Sequence, residues 1–277
     1  MAKALGIIGN IKGKVGNVVG YNLTDSNNKQ TQGLRVYQPN VKNPKTAAQA
    51  EQRAKLAPIN ATYRALKMII DRGNEGLPYG NKSRLAWLKE AFNATHMPWY
   101  EKGAVVGYPV GCALTKGSLS PLSYQVMSDC IEIDCSGMTD STPVNTVGAI
   151  STAILAGIPQ VKAGDQLTFV MCANVNGSLA VDIKSIVIDP TSSEAVKNFS
   201  ASASKLIWEG QFGGQAAAII VSREGANGEH LRSTTALIIN TGALEEAPYD
   251  ATSKTAAIES YMASGSANTD WAEDSIQ

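Results

Sequence analysis

Residues 166–188 read QLTFVMCANV, then Asn176-Gly177, then SLAVDIKSIVI, and this stretch decides the fold. Two runs rich in β-branched and apolar residues flank an Asn-Gly pair, the strongest short-range signal for a tight β-hairpin. Working outward, the same grain continues on both sides. Strands are expected at 123–128, 130–135, 147–155, 166–174, 179–188, 205–211, 216–223 and 233–240. Asn227-Gly228 marks a second hairpin, and Ala163-Gly164-Asp165 supplies a turn ahead of a strand. Short strands at this spacing, with no helix between them, predict an antiparallel β-sandwich.

Upstream of residue 101 the pattern is different. Glycines at 6, 9, 13, 16 and 20 recur at intervals of three and four, which on a helix would make a glycine face. Five helical glycines would cost roughly 5 kcal/mol relative to alanine, so a β-hairpin is the better reading. Ile7-Ile8 and residues 15–21 are its strands, with Lys12-Gly13-Lys14 as the turn. A further strand pair, 18–23 with 32–37, is joined by the polar loop 24–29. Asn43-Pro44 then signals a helix start. Ala47, Ala50, Ala54 and Ala57 form a thin stripe, Pro58 is a kink or restart, and Ile59, Tyr63, Leu66 and Ile70 continue one apolar face. A second helix is expected at 82–94 and a link at 96–108. The 244–277 stretch is acidic and rich in Ala, Ser and Thr, with a short helix near 254–263.

The fold expected is therefore α+β: a small N-terminal β-hairpin sheet with basic helices, then a C-terminal antiparallel β-sandwich. The expected domains are 1–100, 101–243 and an acidic tail or docking arm at 244–277.

Charge is sorted along this plan. Residues 1–100 hold fifteen Lys and Arg against five Asp and Glu, while 101–277 hold nine against nineteen. Net zero thus conceals a basic front and an acidic back. Such asymmetry points to a surface that meets something negative, either nucleic acid or the acidic part of a neighbouring copy. No apolar run approaches the ~18 residues of a membrane span. Asn10 and Lys12 interrupt the apolar start, so no signal peptide is expected. Cys112, Cys130, Cys135 and Cys172 fit no zinc spacing and read as reduced thiols.

Catalytic motifs are missing from the sequence. Gly9-Asn10-Ile11-Lys12-Gly13-Lys14-Val15 is one residue short of a phosphate-binding loop, and Val15 stands where a hydroxyl is needed. No G-x-S-x-G elbow occurs. His96 reads as a helix-end residue and His230 as a solvated hairpin residue; Glu132, Asp134, Asp182 and Glu209 read as solvent-facing strand positions. Neither an enzyme nor a cofactor or metal site is expected.

Gly13-Lys14-Val15-Gly16-Asn17-Val18-Val19-Gly20-Tyr21, then Arg35, then Asn43-Pro44-Lys45-Thr46-Ala47-Ala48-Gln49 and Gln52-Arg53 carry a resemblance. Together they resemble a family of proteins encoded by Bacteroidetes and their phages. Gly164-Asp165-Gln166-Leu167 and Ser222-Arg223-Glu224 are similar to short stretches of that family's β-rich half. The resemblance implies no enzymatic activity and makes a virion component, produced in a bacterial host's cytoplasm, the expected setting.

Three readings follow. The first is a phage structural protein assembling head-to-tail with copies of itself and with other virion proteins, without a membrane. There the alanine stripe, the glycine hairpin and the arm would be subunit interfaces. The second is sequence-independent nucleic-acid binding. For either, the contact residues expected are Lys12, Lys14, Arg35, Lys42, Lys45, Arg53, Lys55 and Arg64. The third is a surface module binding a host glycan or protein, for which Trp208 is the one tryptophan in the expected strands.

Overall fold

The computed structural model describes residues 13–24, 30–37, 46–104, 108–127, 129–136, 138–175, 178–211, 216–239 and 248–263. The fold is α+β, and the chain divides into two compact units, Met1–Pro44 and Lys45–Gln277. The division falls before the helices, not near residue 100.

In the first unit, β1 (Gly13–Val15), β2 (Val18–Thr24) and β3 (Gln30–Val36) form an antiparallel sheet in that order. The β2–β3 pairing matches the sequence reading. The first turn does not: Lys14 lies within β1, and the chain reverses at Gly16-Asn17, between the paired Val15 and Val18. A two-residue hairpin loop needs positive φ, and Gly16 supplies it at 57°. Ile7-Ile8 and Asn43-Pro44 lie outside the described residues.

The second unit begins with helices. In α1 (Ala47–Ala65) the Thr46 hydroxyl accepts a hydrogen bond from the Gln49 amide at 3.3 Å, capping the first turn. Pro58 lies buried inside this helix without ending it, and the helix yields only at Leu66. There follow α2 (Lys67–Ile70), α3 (Asn81–Phe92), β4 (Ala113–Thr115), β5 (Tyr124–Val126) and β6 (Cys130–Asp134).

Residues 147–155, expected as a strand, are instead the bulk of α4 (Val147–Gly157). Thr146 caps it by accepting from the Ala149 amide, and Val147, Ile150 and Ile154 recur at helical spacing on the buried side. Gly148 sits where a Cβ would approach the Ser192 and Pro190 carbonyl oxygens to 2.5 and 2.8 Å. The β-branched residues that suggested a strand are there because the helix is buried, and burial outweighs their weak propensity.

The remaining elements are β7 (Gln166–Val175), β8 (Ser178–Val187), β9 (Phe199–Ser202), β10 (Lys205–Glu209), β11 (Ala216–Glu224), β12 (His230–Arg232), β13 (Thr235–Ala236), β14 (Ile238–Ile239) and α5 (Ala251–Ala263). One large sheet runs β5-β6-β10-β9 and a second runs β12-β11-β7-β8, with β14 also on β11, while β13 pairs with β4 in a two-stranded sheet. Strands β7 and β8 pair out to Val175 and Ser178.

The two sheets share a core with α4, and alternation along β7 sends Leu167, Phe169 and Met171 into it. Phe169 meets Phe199 edge-on at 5.4 Å and Trp208 at 5.5 Å. The opposite face of the same sheet is covered too. Val170 and Cys172 of β7, with Ala216, Ala218 and Ile220 of β11, join residues of α1, α3 and α5 in a second core. The helices are thus the third layer over the sandwich.

Asp165 anchors the entry to β7. Only 1% exposed, it accepts from Arg223 Nε at 2.6 Å, from Arg223 Nη2 at 2.7 Å and from the Lys162 amide at 2.8 Å. Removing one partner of a buried, bidentate pair leaves the other uncompensated, which costs about 3–5 kcal/mol. Asp165→Asn is expected to lower the urea midpoint by the equivalent of about 2–4 kcal/mol with an unchanged slope. A midpoint equal to wild type would show that the pair is not an anchor.

Candidate functional site

The sequence-expected contact residues do not form one patch. Lys12, Lys42 and Lys45 lie outside the described residues. Lys14 and Arg35 belong to the first unit; Arg53, Lys55 and Arg64 are on α1 in the second.

In the first unit, register fixes the arrangement. Lys14 pairs with Val19, and Val19 with Arg35, so the two cations share one row and one face. They stand two strand spacings apart, roughly 9–10 Å. Tyr21, opposite Gly33, lies on the same face, and its ring occupies the space a Gly33 Cβ would need. Lys14 Nζ sits 3.7 Å above the Tyr37 ring. On the other face Val18 and Val36 pair at one end and remain 39% and 73% exposed.

On α1, Lys55 is not available. Its ammonium and that of Lys254 from α5 each lie 3.2 Å from Glu51 Oε1, with the Trp99 ring 5.8 and 5.0 Å away. The contact inverts the charges of composition: the acidic arm brings a lysine to a glutamate of the basic half. Apolar packing accompanies it, since Ala257 of α5 joins Ala54 in the second core. Ala50 and Ala54 are buried by their own chain, so this part of the alanine stripe is not a free subunit interface. The rest of the acidic stretch, 264–277, lies outside the described residues.

The same inversion recurs. Lys116 pairs with Glu90 at 2.8 Å, the cation again coming from the acidic half. Glu75 accepts from the Ser118 amide and hydroxyl at 2.9 Å each and from the Arg232 amide at 3.1 Å. Asp71 accepts from the Tyr63 hydroxyl at 3.0 Å. Every described acid of the first hundred residues is therefore engaged inside the chain. Among the described residues, the exposed cations Arg53, Arg64, Lys67, Lys82 and Lys89 have no carboxylate partner.

Their placement follows from helix geometry. Arg53, Leu56, Asn60, Arg64 and then Lys67 at the start of α2 are spaced by three and four, one stripe on the side of α1 away from Ala54 and Ile59. Leu56 is 40% exposed within it, and neighbouring Met68 is 79% exposed. Lys82, Leu85 and Lys89 make a parallel case on α3, with Leu85 55% exposed. Lys67, Lys82 and Lys89 were missed as contact residues, although the three-four spacing from Arg53 marks Lys67 in the sequence itself.

Other sequence candidates resolve plainly. Trp208 is 2% exposed in the first core, which removes it as a surface ligand contact. His230 is exposed on β12, with its ring 6.3 Å from Tyr79. No disulfide joins the four cysteines, and burial pushes the Cys112 thiol up to about 11 and Cys172 up to about 12. Among the described residues, no three His, Cys, Asp or Glu side chains gather as a metal site, and no helix is long and apolar enough to cross a membrane. No protein-family model, no curated protein and no solved structure matches the chain.

Hydrogen bonds from Lys254 and then Lys55 hold the Glu51 carboxyl below the usual carboxylate range. A folded-state pKa below the unfolded one gives stabilisation that is present above the unfolded value and lost as pH falls through the folded one. Glu51→Gln is expected to speed hydrogen exchange of the 251–263 amides about three- to tenfold at neutral pH, because α5 loses a charged tether. In wild type, acidification through the carboxylate range should loosen α5 in the same way. Unchanged protection of α5 in the variant would show that packing alone holds it.

Proposed function

We propose that the chain is a non-enzymatic structural subunit of a bacteriophage particle, assembling head-to-tail through its N-terminal third. One observation carries this reading. The described acids of the first hundred residues are engaged internally while five exposed cations of α1–α3 have no acidic partner among the described residues. A cationic surface left in that state attracts an acidic one, and residues 101–277 carry a net excess of ten acids to offer it. A contact between different patches of identical subunits closes rings or grows filaments. The small three-stranded sheet adds support: three strands with Val18 and Val36 exposed on one face are near the lower limit for independent stability, so covering that face by a neighbour is favourable. The phage setting and the virion location rest on the sequence resemblance.

A second reading has its own observation. Lys14, Arg35, Tyr21 and Tyr37 share one face of the first sheet, and cations interleaved with aromatics suit a single-stranded nucleic acid.

Light scattering after size-exclusion chromatography separates them. Assembly predicts a mass above the monomer at low ionic strength that returns to the monomer as salt rises. A monomer under all conditions, at high protein concentration, would contradict it. Nucleic-acid binding predicts retention of labelled single strands on filters, abolished by Lys14→Glu with Arg35→Glu; no retention by wild type at low salt would end that reading.

A further inference from the structure

The stripe Arg53, Leu56, Asn60, Arg64 and Lys67 is an unpartnered helix face with a defined character. It spans about 16 Å from Arg53 to Arg64 at 1.5 Å per residue. It alternates guanidinium and ammonium groups with an exposed leucine, and Met68 beside it is almost wholly in solvent. A ligand for such a face needs several carboxylates and at least one large apolar side chain.

The chain itself contains such a segment. Residues 264–277 read SGSANTDWAEDSIQ, with Asp270, Glu273 and Asp274, no Lys or Arg, and the apolar Trp271 and Ile276 among the acids. We infer that the 264–277 segment of a neighbouring copy is the ligand of the α1 stripe, its carboxylates pairing with Arg53, Arg64 and Lys67, with Trp271 covering Met68 and Ile276 reaching Leu56. This deepens the assembly reading and rests on it. Two features support the match. The segment follows directly on α5, which Lys254, Ala257 and Tyr261 tie to its own chain by pairing and packing. Arginine and methionine on one face also suit a partner of this kind, because guanidinium groups bind carboxylates in bidentate fashion and a flexible thioether accommodates an aromatic ring.

The test is charge reversal with rescue in the full chain, read by sedimentation velocity at low salt. Arg53 and Arg64 are exposed, so reversing them leaves the fold intact, as circular dichroism would verify. Arg53→Glu with Arg64→Glu is expected to weaken self-association by about tenfold or more. Adding Asp270→Lys, Glu273→Lys and Asp274→Lys to that variant is expected to restore it. A fluorescently labelled 264–277 peptide should bind wild type and not the reversed variant, with Trp271→Ala in the peptide weakening it further. Restoration together with peptide binding supports the inference. If wild type associates but the lysine substitutions neither disrupt nor rescue, the segment is not the ligand while the assembly reading stands. If wild type is monomeric, the assembly reading falls, and a segment that binds only its own chain overturns the inference with it.

Discussion

Strands β7 and β11 are buried on both faces of their sheet, and this single constraint organises the second unit. Leu167, Phe169 and Met171 face one core while Val170 and Cys172 face the other; Ala217, Ile219 and Val221 alternate with Ala216, Ala218 and Ile220 in the same way. A strand in that position has no side left for polar chemistry. Charged groups are driven to strand ends, as with Asp165 and Arg223, or to the outer surface of the helical layer. That outer surface is where α1 and α3 present their cations.

Electrostatics then favours contact outward over neutralisation inward. Folding brings Lys116 to Glu90 and Lys254 to Glu51, so the pairs that cross between the halves remove the minority charge of each. The imbalance visible in the composition is sharpened by the fold. Exposed ion pairs contribute little to stability, so the arrangement is better understood as setting the sign of a surface than as strengthening a core.

Much of the architecture was legible because its signals are local. Asn-Gly pairs signal turns by backbone requirement, and the 216–221 run is continuously apolar because it is buried on two sides. Two features were not legible. Residues 147–155 carry valine and isoleucine that speak for a strand, and only the Thr146 cap and the contact of Gly148 with the 190–192 loop make the helix evident. The helices were assigned to the small sheet because they follow it in sequence, whereas the surface they cover lies on strands far downstream. The site divides similarly. Arg53 and Arg64 could be read from composition, but the loss of Lys55 to Glu51 depends on Lys254, which nothing local in the sequence brings near.

In the assembly proposed, the cationic helical surface grips a sister copy. The most direct measurement is zero-length carbodiimide cross-linking of an equal mixture of light and ¹⁵N-labelled full-length chains at low salt, with the linked peptides read by mass spectrometry. The account predicts mixed-isotope links joining Lys67, Lys82 or Lys89 to carboxylates of residues 101–277, fading as salt is raised. Links found only within single-isotope chains would contradict it.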